Sequence, residues 1–190
     1  TAGVEGLELI GDMSKKMQVQ RMIEAARESL GEIDILVNQA TVAPAVDLLT
    51  IDEWDWDRTM GVNLKGYFLA LQSIGRLMRE RNQGLIINML VPPTRFIEAE
   101  RHPAYEVSAA GIRELTRHAA DDLDPYGVRV FAVEASRKAV SHPKSGRTTE
   151  ETDLAWWQRD PEILASVVLD ICAQSEQVIS GQAVIVDEGG

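Results

Sequence analysis

Gly31-Glu32-Ile33-Asp34-Ile35-Leu36-Val37-Asn38-Gln39-Ala40 opens on a glycine, carries four aliphatic side chains between Ile33 and Val37, and closes on polar residues. A strand in an antiparallel sheet with one wet face would alternate apolar and polar residues. A nearly continuous apolar run flanked by turn residues instead suits a strand buried on both faces of a parallel sheet. Three later segments repeat the pattern. They are Gly84-Leu85-Ile86-Ile87-Asn88-Met89-Leu90, Val128-Arg129-Val130-Phe131-Ala132-Val133 and Gln182-Ala183-Val184-Ile185-Val186-Asp187.

Helical periodicity fills the intervals. Ser14 to Leu30 starts on a residue suited to capping and spaces Met17, Met22, Ile23, Ala26 and Leu30 by mixed threes and fours. Asp52 to Arg81 places Asp52 and Glu53 in its first turn, where the helix dipole favours acids, and Gly61 and Gly66 are expected to interrupt it. A third helix is expected over 104–123, stopped by Asp124-Pro125-Tyr126-Gly127. A fourth follows Pro161 and runs to about Gln174. Alternating strands and helices predict an α/β chain with right-handed crossovers, a single domain over 1–190. Two long connections, Gln39 to Thr50 and Glu134 to Asp160, stand out in length, and the second carries Trp156-Trp157.

Composition narrows the function classes. The 190 residues are 45% hydrophobic and 26% charged, which is ordinary globular chemistry. Nineteen basic against thirty acidic residues give a formal net charge of −11, unfavourable for nucleic acid or anionic membrane surfaces. The lone Cys172 forms no internal disulfide and reads as a small hydrophobe on an apolar helix. The scattered three histidines offer no metal-ligand spacing, so no metal site is expected. No apolar run nears the ~18 residues of a membrane span, and the first five residues lack a signal peptide's basic flank and apolar core. A cytoplasmic location is expected.

The run from Gly31 to Ala40 resembles the fourth strand of the short-chain dehydrogenases/reductases, where Asn-Asn-Ala-Gly follows the strand. Gly61-Val62-Asn63-Leu64-Lys65-Gly66 is similar to the segment carrying that family's catalytic Asn, and Gly84 to Asn88 to the strand leading to its catalytic Ser. Tyr105 stands where the Tyr of Tyr-x-x-x-Lys belongs, and Gly181 to Asp187 looks like the last strand. The resemblance covers Asp12 to Gly190. It implies a Rossmann-like parallel sheet flanked by helices, here truncated and lacking the first βαβα half that binds the dinucleotide.

Against that family the functional residues are depleted. A tyrosine titrates near ~10 and needs a nearby cation to act as a base at neutral pH. The family places a Lys one helical turn on, at i+4, whereas this chain has Ala109 there, and its first cation beyond Tyr105 on that helix is Arg113. The family's Ser position falls near Val91, in Leu90-Val91-Pro92-Pro93, with Thr94 the nearest hydroxyl. Ala135-Ser136 replaces the Pro-Gly turn, and Thr41 the last Gly of Asn-Asn-Ala-Gly. No Gly-rich phosphate turn follows a strand. Asp12, where the family contacts adenine, and Asn38 are therefore expected to be vestiges of a cofactor site, and Asn63 and Tyr105 vestiges of a catalytic one. The plainer readings are Asn38 bonding to neighbouring backbone, Asn63 stabilising a helix bulge and Tyr105 as an interface aromatic.

The resemblance, with these losses, implies a non-catalytic subunit holding no cofactor. It would join a full-length catalytic short-chain dehydrogenase subunit that carries NAD(P), as a heterotetramer built through helices 52–81 and 104–123 and the C-terminal strand. Two other readings stay open. One is a homo-oligomeric module binding a nucleotide or CoA ester with the Glu134–Asp160 connection; the other is a residual enzyme completed by a partner's cofactor site. The edge of strand 33–38 is expected to be covered by Leu7 to Ile10 or by the following helix.

Overall fold

The computed structural model describes residues 6–91, 102–135, 161–174 and 179–186. Helix α1 (Lys16–Leu30) leads into strand β1 (Ile35–Asn38). Helix α2 (Glu53–Thr59), a π-helix (Met60–Lys65) and helix α3 (Gly66–Arg81) then form one continuous rod, followed by β2 (Gly84–Leu90). Helix α4 (Pro103–Leu123), a short 3-10 turn (Asp124–Tyr126), β3 (Val128–Ala135), α5 (Pro161–Gln174) and β4 (Ala183–Val186) complete the order. The sheet is wholly parallel in the order β1-β2-β3-β4, with Leu36 beside Ile86 and Ile86 beside Val130.

Both faces of the central strands are buried, as the continuous apolar runs require. Ile86, Val128 and Val130 pack against Ile74 and Met78 of α3 and Ala119, Ala120 and Leu123 of α4. On the opposite face Ile87, Met89, Phe131 and Val133 meet Leu164 and Ile171 of α5, with Cys172 half-buried at the margin. Helix α1 lies alongside α3, where Val19 is buried with Leu69 and Ala70.

Local chemistry sets the element ends. Asp52 caps α2 by accepting from the Asp55 N–H at 2.7 Å. Pro103 occupies the first turn of α4, where its missing N–H costs nothing. The break expected at Gly61 and Gly66 is a widening of the helix into π geometry rather than a chain reversal. Glycine permits close approach there: a Cβ on Gly66 would stand 3.1 Å from the Cβ of Met13. Gly111 does the same for α4, since a Cβ there would lie 3.0 Å from the Leu64 methyls.

Two expectations are corrected. Ser14 does not cap α1; its N–H and hydroxyl both bond to the Asp12 carboxylate at 2.8 and 2.7 Å, and the helix starts at Lys16 after Lys15. An acid two residues upstream outcompetes the helix for that serine. The expected cover of the β1 edge is partial: among the described residues no strand flanks its outer side and Ile35 and Val37 stay 46% and 42% exposed, while Leu7, Leu9 and the α1 residues Met22 and Ile23 line a cleft together with Leu36 and Val37. The 136–160 part of the Glu134–Asp160 connection, with Trp156-Trp157, lies outside the described residues, as does Thr94. No described helix is long and apolar enough to cross a membrane.

Candidate functional site

The C-terminal end of β1, the N-terminal half of α4 and the π-helix carry Asn38, Tyr105, Ala109 and Asn63, whereas Val91 packs on the opposite face of the sheet and Asp12 lies before α1. Tyr105 sits in the first turns of α4, 6% exposed, within an apolar cluster of Tyr67, Leu90, Ala109, Ile112 and Ala132. It is thus a core residue of this chain and not an interface aromatic. Ala109, one turn further along α4, is 5% exposed in the same cluster. Val91, at the family's Ser position, is buried on the other side of the sheet against α5 residues.

The first cation beyond Tyr105 on α4 is committed elsewhere. Arg113 donates through Nε and Nη2 to the two carboxylate oxygens of Glu134, at 2.8 and 2.5 Å, closing a fork at the end of β3. This pairing holds the Arg113 guanidinium protonated even more firmly than usual. Burial pushes the phenol of Tyr67 up to about 12, offset in part by a contact with Thr41, while its hydroxyl donates to the Met89 carbonyl at 2.9 Å. Tyr67 is a structural phenol, not a base.

Asn63 lies inside the π-helix and clamps the chain after β1. Its side-chain oxygen accepts from the Val42 N–H at 2.8 Å, and its amide donates to the Val42 carbonyl at 2.8 Å and the Ser108 hydroxyl at 3.0 Å. Ser108 in turn donates to the Tyr105 carbonyl. Asn63 therefore joins three segments: the π-helix, the 39–46 connection and α4. His102, buried ahead of α4, reaches the Pro44 carbonyl of the same connection at 3.2 Å.

Asn38 bonds across the sheet, not to neighbouring backbone. Its amide donates to the Asn88 side-chain oxygen at 2.9 Å, and Asn88 donates to the Thr116 hydroxyl at 2.9 Å. Thr116 returns its proton to the Ile112 carbonyl. Asn88, Thr116, Ser108 and His102 were not anticipated. Asn88, a polar residue inside the apolar run 84–90, was the one with a signal, because a buried amide requires a partner.

Two of the residues expected at a cofactor site make hydrogen bonds within this chain. The Asp12 carboxylate is taken by both donors of Ser14, which hold it below the usual aspartate range. The Asn38 amide gives one N–H to Asn88. No group of three His, Cys, Asp or Glu side chains suited to a metal gathers among the described residues.

A parallel sheet with this crossover order, a π-widened helix bearing Asn and a Tyr on the next long helix define the class of Rossmann-like oxidoreductase folds. Residues 2–190 match the family model described as enoyl-(acyl carrier protein) reductase, and the chain belongs to the short-chain dehydrogenase/reductase family that this model covers. It is 32% identical over 185 residues to an NAD-dependent glycerol dehydrogenase of Listeria innocua, covering 94% of this chain and 72% of that one. It is 34% identical over 124 residues to the (2S)-[(R)-hydroxy(phenyl)methyl]succinyl-CoA dehydrogenase subunit BbsD of Thauera aromatica, covering 65% of this chain and 49% of that one. The solved structure titled "Crystal structure of gox2181" superposes with a TM-score of 0.74 at 25% identity, over 95% of this chain and 74% of that one.

Proposed function

We propose that this chain is a non-catalytic subunit of a short-chain dehydrogenase, holding no cofactor and supporting assembly of a catalytic, full-length partner that carries NAD(P). The observation that carries the reading is Ala109, buried one turn from Tyr105 where an acid/base tyrosine needs a cation. Arg113, the next cation along α4, is within electrostatic reach of Tyr105 but is held through Nε and Nη2 by Glu134, and on this reading it does not take over the role of the missing lysine. The apolar seat of Val91 supplies no hydroxyl to polarise a carbonyl oxygen. Tyr105, Asn63, Asn38 and Asp12 are then vestiges kept for packing and hydrogen bonding.

The partner's reaction in this proposal is oxidation of a hydroxyacyl-CoA or alcohol. The likeness to the Thauera aromatica subunit supports that substrate class. On this reading the chain is the counterpart of the small inactive subunit of a 2-(α-hydroxybenzyl)succinyl-CoA dehydrogenase, in anaerobic aromatic (toluene) degradation. Docking surfaces remain available for a heterotetramer. Phe68 of α3 and Val107 of α4 are exposed apolar side chains on the two long helices, and Ile185 is one on the last strand. Calorimetric titration of the isolated chain with NAD and NADP, each in oxidised and reduced form, tests the reading. No heat of binding is expected, and saturable micromolar binding of either cofactor would overturn it.

A further inference from the structure

Helix α2 and the π-helix turn one face toward the segment that precedes α1. Trp54, Arg58, Gly61 and Lys65 recur at spacings of three and four along this rod, so they share that face. Gly61 lets the 12–15 segment approach closely, since a Cβ there would stand 3.3 Å from the Ser14 Cβ. Between rod and segment lies a cleft of about 730 Å³, a size suited to a small organic molecule. It shares no lining residue with the cleft beside β1.

The charge of this cleft runs against that of the chain. Lys15, Arg58 and Lys65 line it against two acids, Asp12 and Asp57, whereas the whole chain carries 19 basic and 30 acidic residues. Among the described residues, ion pairs form on other arginines and on His118, and none involves these three cations. The bonds from Ser14, and then the charges of Lys15 and Lys65, hold the Asp12 carboxylate below its usual range. Met60 and Val62 add aliphatic surface. The Trp54 indole, 66% exposed, carries the Arg58 guanidinium 5.3 Å from its ring centroid. Flat apolar surface and positive charge thus stand side by side.

We infer that this cleft binds an aromatic carboxylate, its ring against Trp54 and its charge met by Lys15, Arg58 and Lys65. A neutral ring would use only the apolar wall, and a compact inorganic anion only the cations; a carboxylate on a ring uses both. In a chain of net charge −11 the local excess of cations is what admits an anion. Every group in the site belongs to this chain, so it stands independently of the subunit reading.

Sodium benzoate is the probe, titrated into the isolated chain at constant ionic strength and followed by nitrogen–proton NMR, with benzamide and inorganic phosphate as comparisons. The Trp54 indole N–H and the Lys15, Gly61 and Lys65 amides should shift together and saturate with a roughly millimolar Kd. Benzamide and phosphate should each bind at least ~10-fold more weakly. Lys15→Gln and Lys65→Gln, both at exposed positions, should leave circular dichroism unchanged and weaken benzoate by about 3–5-fold each, while Asp57→Asn should tighten it by about twofold. Benzoate shifts that do not saturate overturn the site. Phosphate binding as tightly as benzoate shows a plain anion site, and benzamide binding as tightly shows an apolar patch; either overturns the aromatic carboxylate. An affinity indifferent to all three substitutions overturns it as well. None of these results bears on assembly with a catalytic subunit.

Discussion

Tyr105 and Ala109 lie one helical turn apart on the buried face of α4 and share one apolar cluster, so the position one turn on from the tyrosine carries a methyl group, not an ammonium. On the proposed reading that missing ammonium leaves Tyr105 without an acid/base role. Tyr105→Phe is therefore expected to leave turnover of the assembled dehydrogenase within about twofold, where loss of a working acid/base group costs ~10²–10⁴-fold. Steady-state kinetics of the reconstituted assembly check this.

Asn63 carries a heavier structural duty than Tyr105. Its side chain satisfies both backbone groups of Val42 and bonds to Ser108, all at buried or part-buried positions. Asn63→Ala leaves these groups unpaired and should cost about 2–4 kcal/mol. For a chain of this length that lowers Tm by about 10 °C in differential scanning calorimetry. A loss under about 0.5 kcal/mol would contradict the clamp.

The line from Asn38 through Asn88 to Thr116 should behave as one unit. Asn38→Ala and Asn88→Ala both remove the bond between the two amides, which can be lost only once, while Asn88→Ala also removes the bond to Thr116. A double-mutant cycle should therefore give a coupling of about 1 kcal/mol, and strict additivity would show the two amides to be independent.

Tyr67 predicts an alkaline limit. Its folded pKa, pushed up to about 12 by burial, exceeds the ordinary value near 10. Since the folded chain holds the phenolic proton more tightly, the contribution is complete below pH ~10 and is lost as pH rises toward ~12. Urea midpoints should fall over that window, and Tyr67→Phe should flatten the fall while costing about 1 kcal/mol at pH 7 through the orphaned Met89 carbonyl.

Much of the fold is legible in the sequence because its strands are buried on both faces. The runs 84–90 and 128–133 can be nothing but core, and Pro103, Pro161 and Asp52 mark helix starts that local chemistry fixes. The misread features depend on what lies nearby in space. Ser14 has a capping residue's chemistry, but Asp12 captures it. Asn38 resembles a residue that bonds to adjacent backbone, and only the β1–β2 register brings Asn88 opposite. The helix break at Gly61 and Gly66 is legible as a break, whereas the closeness of Met13 and Ser14 to those glycines is a tertiary feature that the local sequence does not carry. At the site, the absent cation at Ala109 is readable from the resemblance to the family's Tyr-x-x-x-Lys. The capture of Arg113 by Glu134 is not, since it joins a helix to the end of a strand 21 residues away.

The central claim is that this chain serves catalysis only through a partner. The most direct test is the native mass of the untagged chain purified from its source, with dehydrogenase activity followed across the same fractions. The account predicts co-migration with a second, longer short-chain dehydrogenase subunit and activity confined to that complex. A homo-oligomer of this chain that reduces or oxidises substrate with NAD or NADP by itself would contradict it.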